Sequence, residues 1–234
     1  MSDFRGYPQA GARSVGIDQG LRAYMIRVYN YMAMGLVITG LAAFATLSSG
    51  LMPVLFGTPL KYVVLLAPLA MVMFLSFRVQ TMSLSGAQIA FWVFSALMGI
   101  SLTPIVLVYT GASIAKVFFI TAAAFASTSL YGYTTKRDMT GFGSFLFMGL
   151  IGIIIASVVN IFLHSGPMGF AISVIGVLVF TGLTAWDTQQ IKTMYYSTSG
   201  EAAIGKSAVM GALRLYLDFI NLFMSLLRLM GDRR

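Results

Sequence analysis

The chain has 234 residues, 58% hydrophobic and 9% charged, with a formal net charge of +8 and no cysteine. A soluble domain carries about 25% charged residues, so the balance points to lipid as solvent and to one compact helical domain. The absence of cysteine excludes disulfides, thiolate metal sites and cysteine nucleophiles, and with a single histidine it argues against structural zinc. The basic residues sit at the ends of apolar runs instead of forming a stripe interleaved with aromatics, so nucleic acid is not an expected partner. Topology and contact with anionic lipid explain the charge better.

In chain order, the N-terminal stretch MSDFRGYPQAGARSVGIDQG lacks the basic-then-apolar order of a cleaved leader, so the first span is expected to direct insertion. Residues 1–28 are expected to form a cytoplasmic tail and an interfacial helix, with Ile17, Leu21, Tyr24 and Val28 on one face. Residues 29–234 then form a single transmembrane domain. A span needs about 20 mostly apolar residues. Seven segments meet or approach this: 29–50, 60–77, 87–109, 114–133, 142–163, 169–190 and 207–230. The fold class is therefore all-α, a polytopic membrane protein of seven transmembrane helices. Arg5, Arg13, Arg22 and Arg27 precede the first span, Arg78 follows the second, Lys136 and Arg137 the fourth, and Lys192 and Lys206 the sixth. By the positive-inside rule the N-terminus is cytoplasmic. Seven full spans place Arg228, Arg233 and Arg234 outside, which leaves open a tolerated short tail or a re-entrant late segment.

Within the fourth segment, Ala122 with Ala126 and Ala123 with Ser127 have the small-xxx-small spacing of close helix packing. Pro104 is expected to be structural, Asn160 to bond across helices, and His164 to be a loop residue.

The last two segments carry the chemistry. Asp187 lies in GLTAWDTQQIK and Asp218 in LRLYLDFINLF. A carboxylate at membrane depth costs roughly 2.5–3.5 kcal/mol on insertion scales, and its usual reasons are an ion path, a proton relay or a buried charge partner. Arg214, Asp218, Asn221, Ser225 and Arg228 fall at steps of four and three, so one face of the last helix is polar. If Asp187 and Asp218 meet, they resist being ionised together, share a proton and titrate as a unit. Such a pair offers oxygen ligands suited to transient calcium. The alternative is that Asp218 pairs with Arg214 on its own helix and Asp187 caps or snorkels. For Arg78 two roles stand open, a latch to Asp187 or a snorkelling topology charge.

The segments LYGYTTKRDMTGFGSFLFMGLIG, GLTAWDTQQIK and ALRLYLDFINLFMSLLRLMG resemble the Bax-inhibitor family, also called the transmembrane BAX inhibitor motif family. The similarity covers nearly the whole chain after the N-terminal tail. For a bacterial member the resemblance implies a central seventh helix wrapped by six others. It also implies a pH-sensitive calcium leak controlled by two aspartates, which correspond to Asp187 and Asp218, with Arg78 the nearest candidate for a basic gate partner on the second helix. The expected partners are thus calcium ions, protons and membrane lipid, with no cofactor beyond calcium as the permeant ion. The location expected is a bacterial inner membrane.

Other functions stand beside the leak. A membrane-embedded regulator would bind a membrane protease or another protein without moving ions, and a proton–calcium exchanger would move protons stoichiometrically. An intramembrane aspartyl protease is disfavoured because LYLDFIN lacks a glycine-framed motif, and a retinal pigment because residues 207–230 hold no lysine for a Schiff base. The chain is read as a non-enzyme.

Overall fold

The structure, a computed structural model, describes residues 9–234, with side chains described from residue 19. The chain folds into helices α1 (Gln9–Ser48), α2 (Met52–Gly57), α3 (Leu60–Arg78), α4 (Leu84–Val108), α5 (Gly111–Thr134), α6 (Thr140–Leu163), α7 (Gly166–Ser197) and α8 (Glu201–Met230). Among the described residues there is no sheet, only an isolated bridge between Tyr109 and Arg233. Seven of the helices are long and apolar enough to cross a membrane, α2 being the exception. The extra turn of α2 starts with Pro53 in its first turn and lies in the loop between the first two spans.

Helix is the form these segments must take, because in lipid every backbone polar group has to be satisfied within its own segment. The corners between spans are tight and capped. Ser83, Thr110 and Ser165 each accept a hydrogen bond from a backbone N–H three residues on, which starts α4, α5 and α7. His164 ends α6 in the left-handed region (φ 50°), and the Asn160 side-chain oxygen accepts from the Ser165 N–H at 3.0 Å. Asn160 therefore closes its own turn, where a bond across helices was expected, because the Ser165 N–H at the start of α7 lies within its reach.

The spans differ sharply in enclosure. Of its most apolar stretch, α8 buries 61% and α7 44%, but α3 only 11% and α6 only 6%. The outward faces of α3 and α6 carry Phe77, Phe145 and Phe162, which suit hydrocarbon. The principal neighbours of α8 are α7, α1, α5 and α4, while α3 packs mainly on α4 and α6 on α7. Close approach to α8 is possible because Gly205, Ala208, Gly211 and Ala212 are buried along it. Deeper in the bundle, Tyr216 lies edge-on to Phe91 and Phe94, with ring centres 6.0 and 5.2 Å away. Its hydroxyl meets Thr39 Oγ1 at 2.6 Å, and Thr39 is also within 2.9 Å of the Ser95 carbonyl. These contacts tie α8, α1 and α4 together.

In α1, α7 and α8 the apolar spans extend over 30, 32 and 30 residues, roughly ten more than a membrane requires. The excess collects at one end. There Tyr24 stacks on Tyr195 with ring centres 5.3 Å apart, and Ile191 packs where a side chain at Gly211 would sit. Leu21, Tyr24 and Val28 are buried in this cluster, and α1 runs unbroken through residue 28, so among the described residues there is no separate helix ahead of the first span. Ile17 lies outside the described side chains.

Candidate functional site

Asp187 and Asp218 come from the two helices that pack most extensively together, and both are buried, at 8% and 5% exposure. Their carboxyl groups lie within hydrogen-bonding reach of each other. Arg214 Nη1 donates to Asp187 Oδ1 at 3.4 Å, the one ion pair among the described side chains. Asp218 Oδ2 is buried without a hydrogen-bond partner, and so is the hydroxyl of Tyr24 on α1, whose side chain feels the Arg214 charge.

Of the two arrangements open from sequence, the aspartates do meet. Arg214 reaches across to α7 instead of pairing with Asp218 one turn along its own helix. The tie to Asp187 is thus made by Arg214, and Arg78 does not make it. Arg78 is exposed at the end of α3, which packs mainly on α4, and its carbonyl accepts from Thr81 and Met82 in the following turn. The rest of the polar stripe turns inward on itself. Asn221 donates to the Leu217 carbonyl and Ser225 to the Asn221 carbonyl, both at 2.8 Å. Ser225 also faces Gly176, where a side chain would collide with its hydroxyl.

The register of α7 is held from the other side by α5. Gly132 lies so close to the Ala185 carbonyl that no β-carbon fits between them. Ser129 Oγ is 2.8 Å from Thr188 Oγ1 and 2.6 Å from the Tyr29 hydroxyl, a chain of hydroxyls linking α1, α5 and α7 beside Asp187. Lys192 donates to the Tyr133 carbonyl at 2.8 Å. Sequence reasoning missed Tyr24, Tyr29 and Thr188. Tyr24 reads from sequence as one more apolar residue of a helical face, and the hydroxyl chain depends on contacts 59 and 100 residues apart.

Among the described residues no three His, Cys, Asp or Glu side chains come together. A resident calcium ion takes six to eight oxygens, roughly, so two carboxylates beside an arginine suit passage better than storage.

A bundle of seven apolar helices with a buried carboxyl pair and one arginine between its last two spans defines a polytopic membrane protein with an ionisable interior site. The family model described as Inhibitor of apoptosis-promoting Bax1 matches residues 21–234, and the chain belongs to this Bax inhibitor family. It is 47% identical over 235 residues to the protein RP147 of Rickettsia prowazekii, covering 100% of both chains. A protein of Caulobacter vibrioides is 46% identical over 249 residues, again 100% of both. The inner membrane protein YbhL of Escherichia coli K12 is 47% identical over 219 residues, 92% of this chain and 94% of that one.

Proposed function

We propose that this protein is a pH-sensitive calcium leak of a bacterial inner membrane, with Asp187 and Asp218 as proton sensor and as part of the ion path. The observation that carries the reading is the meeting of the two buried carboxyls beside Arg214. The group of three holds one net negative charge when both carboxyls are ionised, none with one proton bound, and one positive charge with two. In the neutral state the Arg214–Asp187 tie holds α7 to α8 and the path is closed. A second proton removes the last ionised carboxylate, so Arg214 loses its partner and the α7–α8 seam loosens. Calcium is cargo, met only briefly by oxygen atoms of the pair as it passes the loosened seam.

The relative YbhL, named an inner membrane protein, supports the location. Basic residues support a cytoplasmic N-terminus. Arg22, Arg27, Arg78, Lys136, Arg137, Lys192 and Lys206 all fall on the side of the bundle where α1 enters.

Calcium uptake by proteoliposomes, compared with empty vesicles, tests the proposal. Uptake that rises as pH falls from about 8 to 6, without stoichiometric proton counterflow, supports a leak. Fixed proton counterflow makes the protein an exchanger. No uptake at any pH removes transport and leaves the regulator that binds a membrane protease or other partner.

A further inference from the structure

Helices α1 and α5 do not close on one another along the half of the bundle where α1 enters. Between them lies a cavity of about 650 Å³ lined almost entirely by apolar side chains, including Met25, Ile26, Met32, Phe125, Ala126 and Leu130. That volume lies within the roughly 300–1,000 Å³ range that encloses an organic ligand. The small side chains of Ala33 and Ala126 hold it open, and both are exposed. The small-xxx-small face of α5 thus borders a groove at Ala126, whereas the close helix contact on α5 is made by Gly132. One end of the groove is basic. Arg22 lines it and has no ion pair or hydrogen bond among the described residues. Tyr133 lines the same end, with the Lys192 ammonium 5.8 Å from its ring centre.

We propose that this groove binds an anionic glycerophospholipid of the surrounding bilayer, with its phosphate at Arg22 and one acyl chain lying between α1 and α5. Three observations select that occupant. The groove opens sideways from a membrane-spanning bundle, so what reaches it is lipid. Its polarity is graded in the lipid's own order, with the Arg22 guanidinium of α1, which has no partner among the described residues, beside the end of α5 and only apolar walls and hydroxyls beyond it. Its length also fits. At about 1.5 Å per residue, Arg22 to Ala33 spans about 17 Å and Tyr133 to Phe125 about 12 Å, which brackets one leaflet of a hydrocarbon core roughly 30 Å thick. The Tyr29 hydroxyl lines the groove and begins the chain through Ser129 to Thr188, so an occupant touching Tyr29 is two hydrogen bonds from the residue next to Asp187.

Native mass spectrometry of the full chain, released from nanodiscs of mixed phosphatidylglycerol and phosphatidylcholine, tests the proposal. The wild type should retain one phosphatidylglycerol in preference to phosphatidylcholine. Arg22→Gln should lower that preference about fivefold, the worth of one basic residue at an anionic surface, and Arg22→Lys should restore most of it. Ala126→Trp should abolish retention of either lipid by filling the groove. Millimolar inorganic phosphate should not displace the bound lipid. Equal retention of the two lipids by wild type, or unchanged retention in both Arg22→Gln and Ala126→Trp, overturns the proposal. Displacement by inorganic phosphate overturns it too, since the site would then be an anion site and not a lipid site.

Discussion

Replacing Gly132 by alanine is expected to force α5 and α7 apart at the point where they hold the site. An added β-carbon meets the carbonyl oxygen, carbonyl carbon and α-carbon of Ala185, all of them backbone, so no side chain can rotate away. The helices must separate by roughly 1 Å, which forfeits a quarter to a half of the dispersion energy of each contact along the seam. It also stretches the 2.8 Å Ser129–Thr188 hydrogen bond out of range. Overpacking of this kind costs about 1–3 kcal/mol, offset by up to about 1 kcal/mol from alanine's better helix propensity. The net is about 0–2 kcal/mol, and relative to a glycine-to-alanine change that gains the same propensity it is about 1–3 kcal/mol, a difference in Tm of roughly 2–12 °C for a chain of this size. Thermal unfolding of the purified protein in detergent, followed by circular dichroism, reads the shift. Gly152→Ala is the control, because nothing lies within 4 Å of a β-carbon there. Equal Tm values for the two variants would refute the contact-based reasoning.

Arg214→Gln should change stability by no more than about 1 kcal/mol, because the arginine is 40% exposed. In a flux assay, however, it should leave calcium uptake high and insensitive to pH, since the tie that closes the path is gone. Tyr216→Phe removes a buried hydroxyl bonded to Thr39 and should lower Tm by roughly 2–4 °C with the pH response of flux intact, as one hydrogen bond is worth about 1 kcal/mol. Asp138, in the loop before α6, accepts hydrogen bonds from the hydroxyl and the backbone N–H of Thr140, which hold its carboxyl below the ordinary 3.8. A carboxyl lowered on folding stabilises above its unfolded value and loses that contribution as pH falls through its folded one. Asp138→Asn should therefore lower Tm slightly at neutral pH and flatten the acid limb of the Tm–pH curve, so that variant and wild type converge below about pH 4.

The spans were legible because a run of about 20 apolar residues has few alternatives to a membrane helix. Their ends were less so. Hydropathy reports where lipid begins, while helices continue as long as tertiary contacts support them. The sixth span was placed at 169–190, but α7 reaches Ser197 because Tyr195 and Ile191 pack against α1 and α8. One of the two arrangements open in the sequence, the meeting of Asp187 and Asp218, followed from the polar face of the last helix and the short connection before it. Their cation did not, since Arg214 and Arg78 differ only in which neighbour α7 has, and packing decides that. The small residues of α5 likewise signal close approach from sequence, yet Gly132 meets α7 while Ala126 faces a groove. The partner that fails to come near is invisible in a local pattern.

The central claim is tested most directly by calcium flux through proteoliposomes as a function of pH, with wild type beside Asp187→Asn and Asp218→Asn. Flux in the wild type should rise as pH falls from about 8 to 6, and either variant should lose that dependence while still folding to a bundle of the same helix content. A wild-type pH profile reproduced by both variants would contradict the assignment of the sensor to this pair.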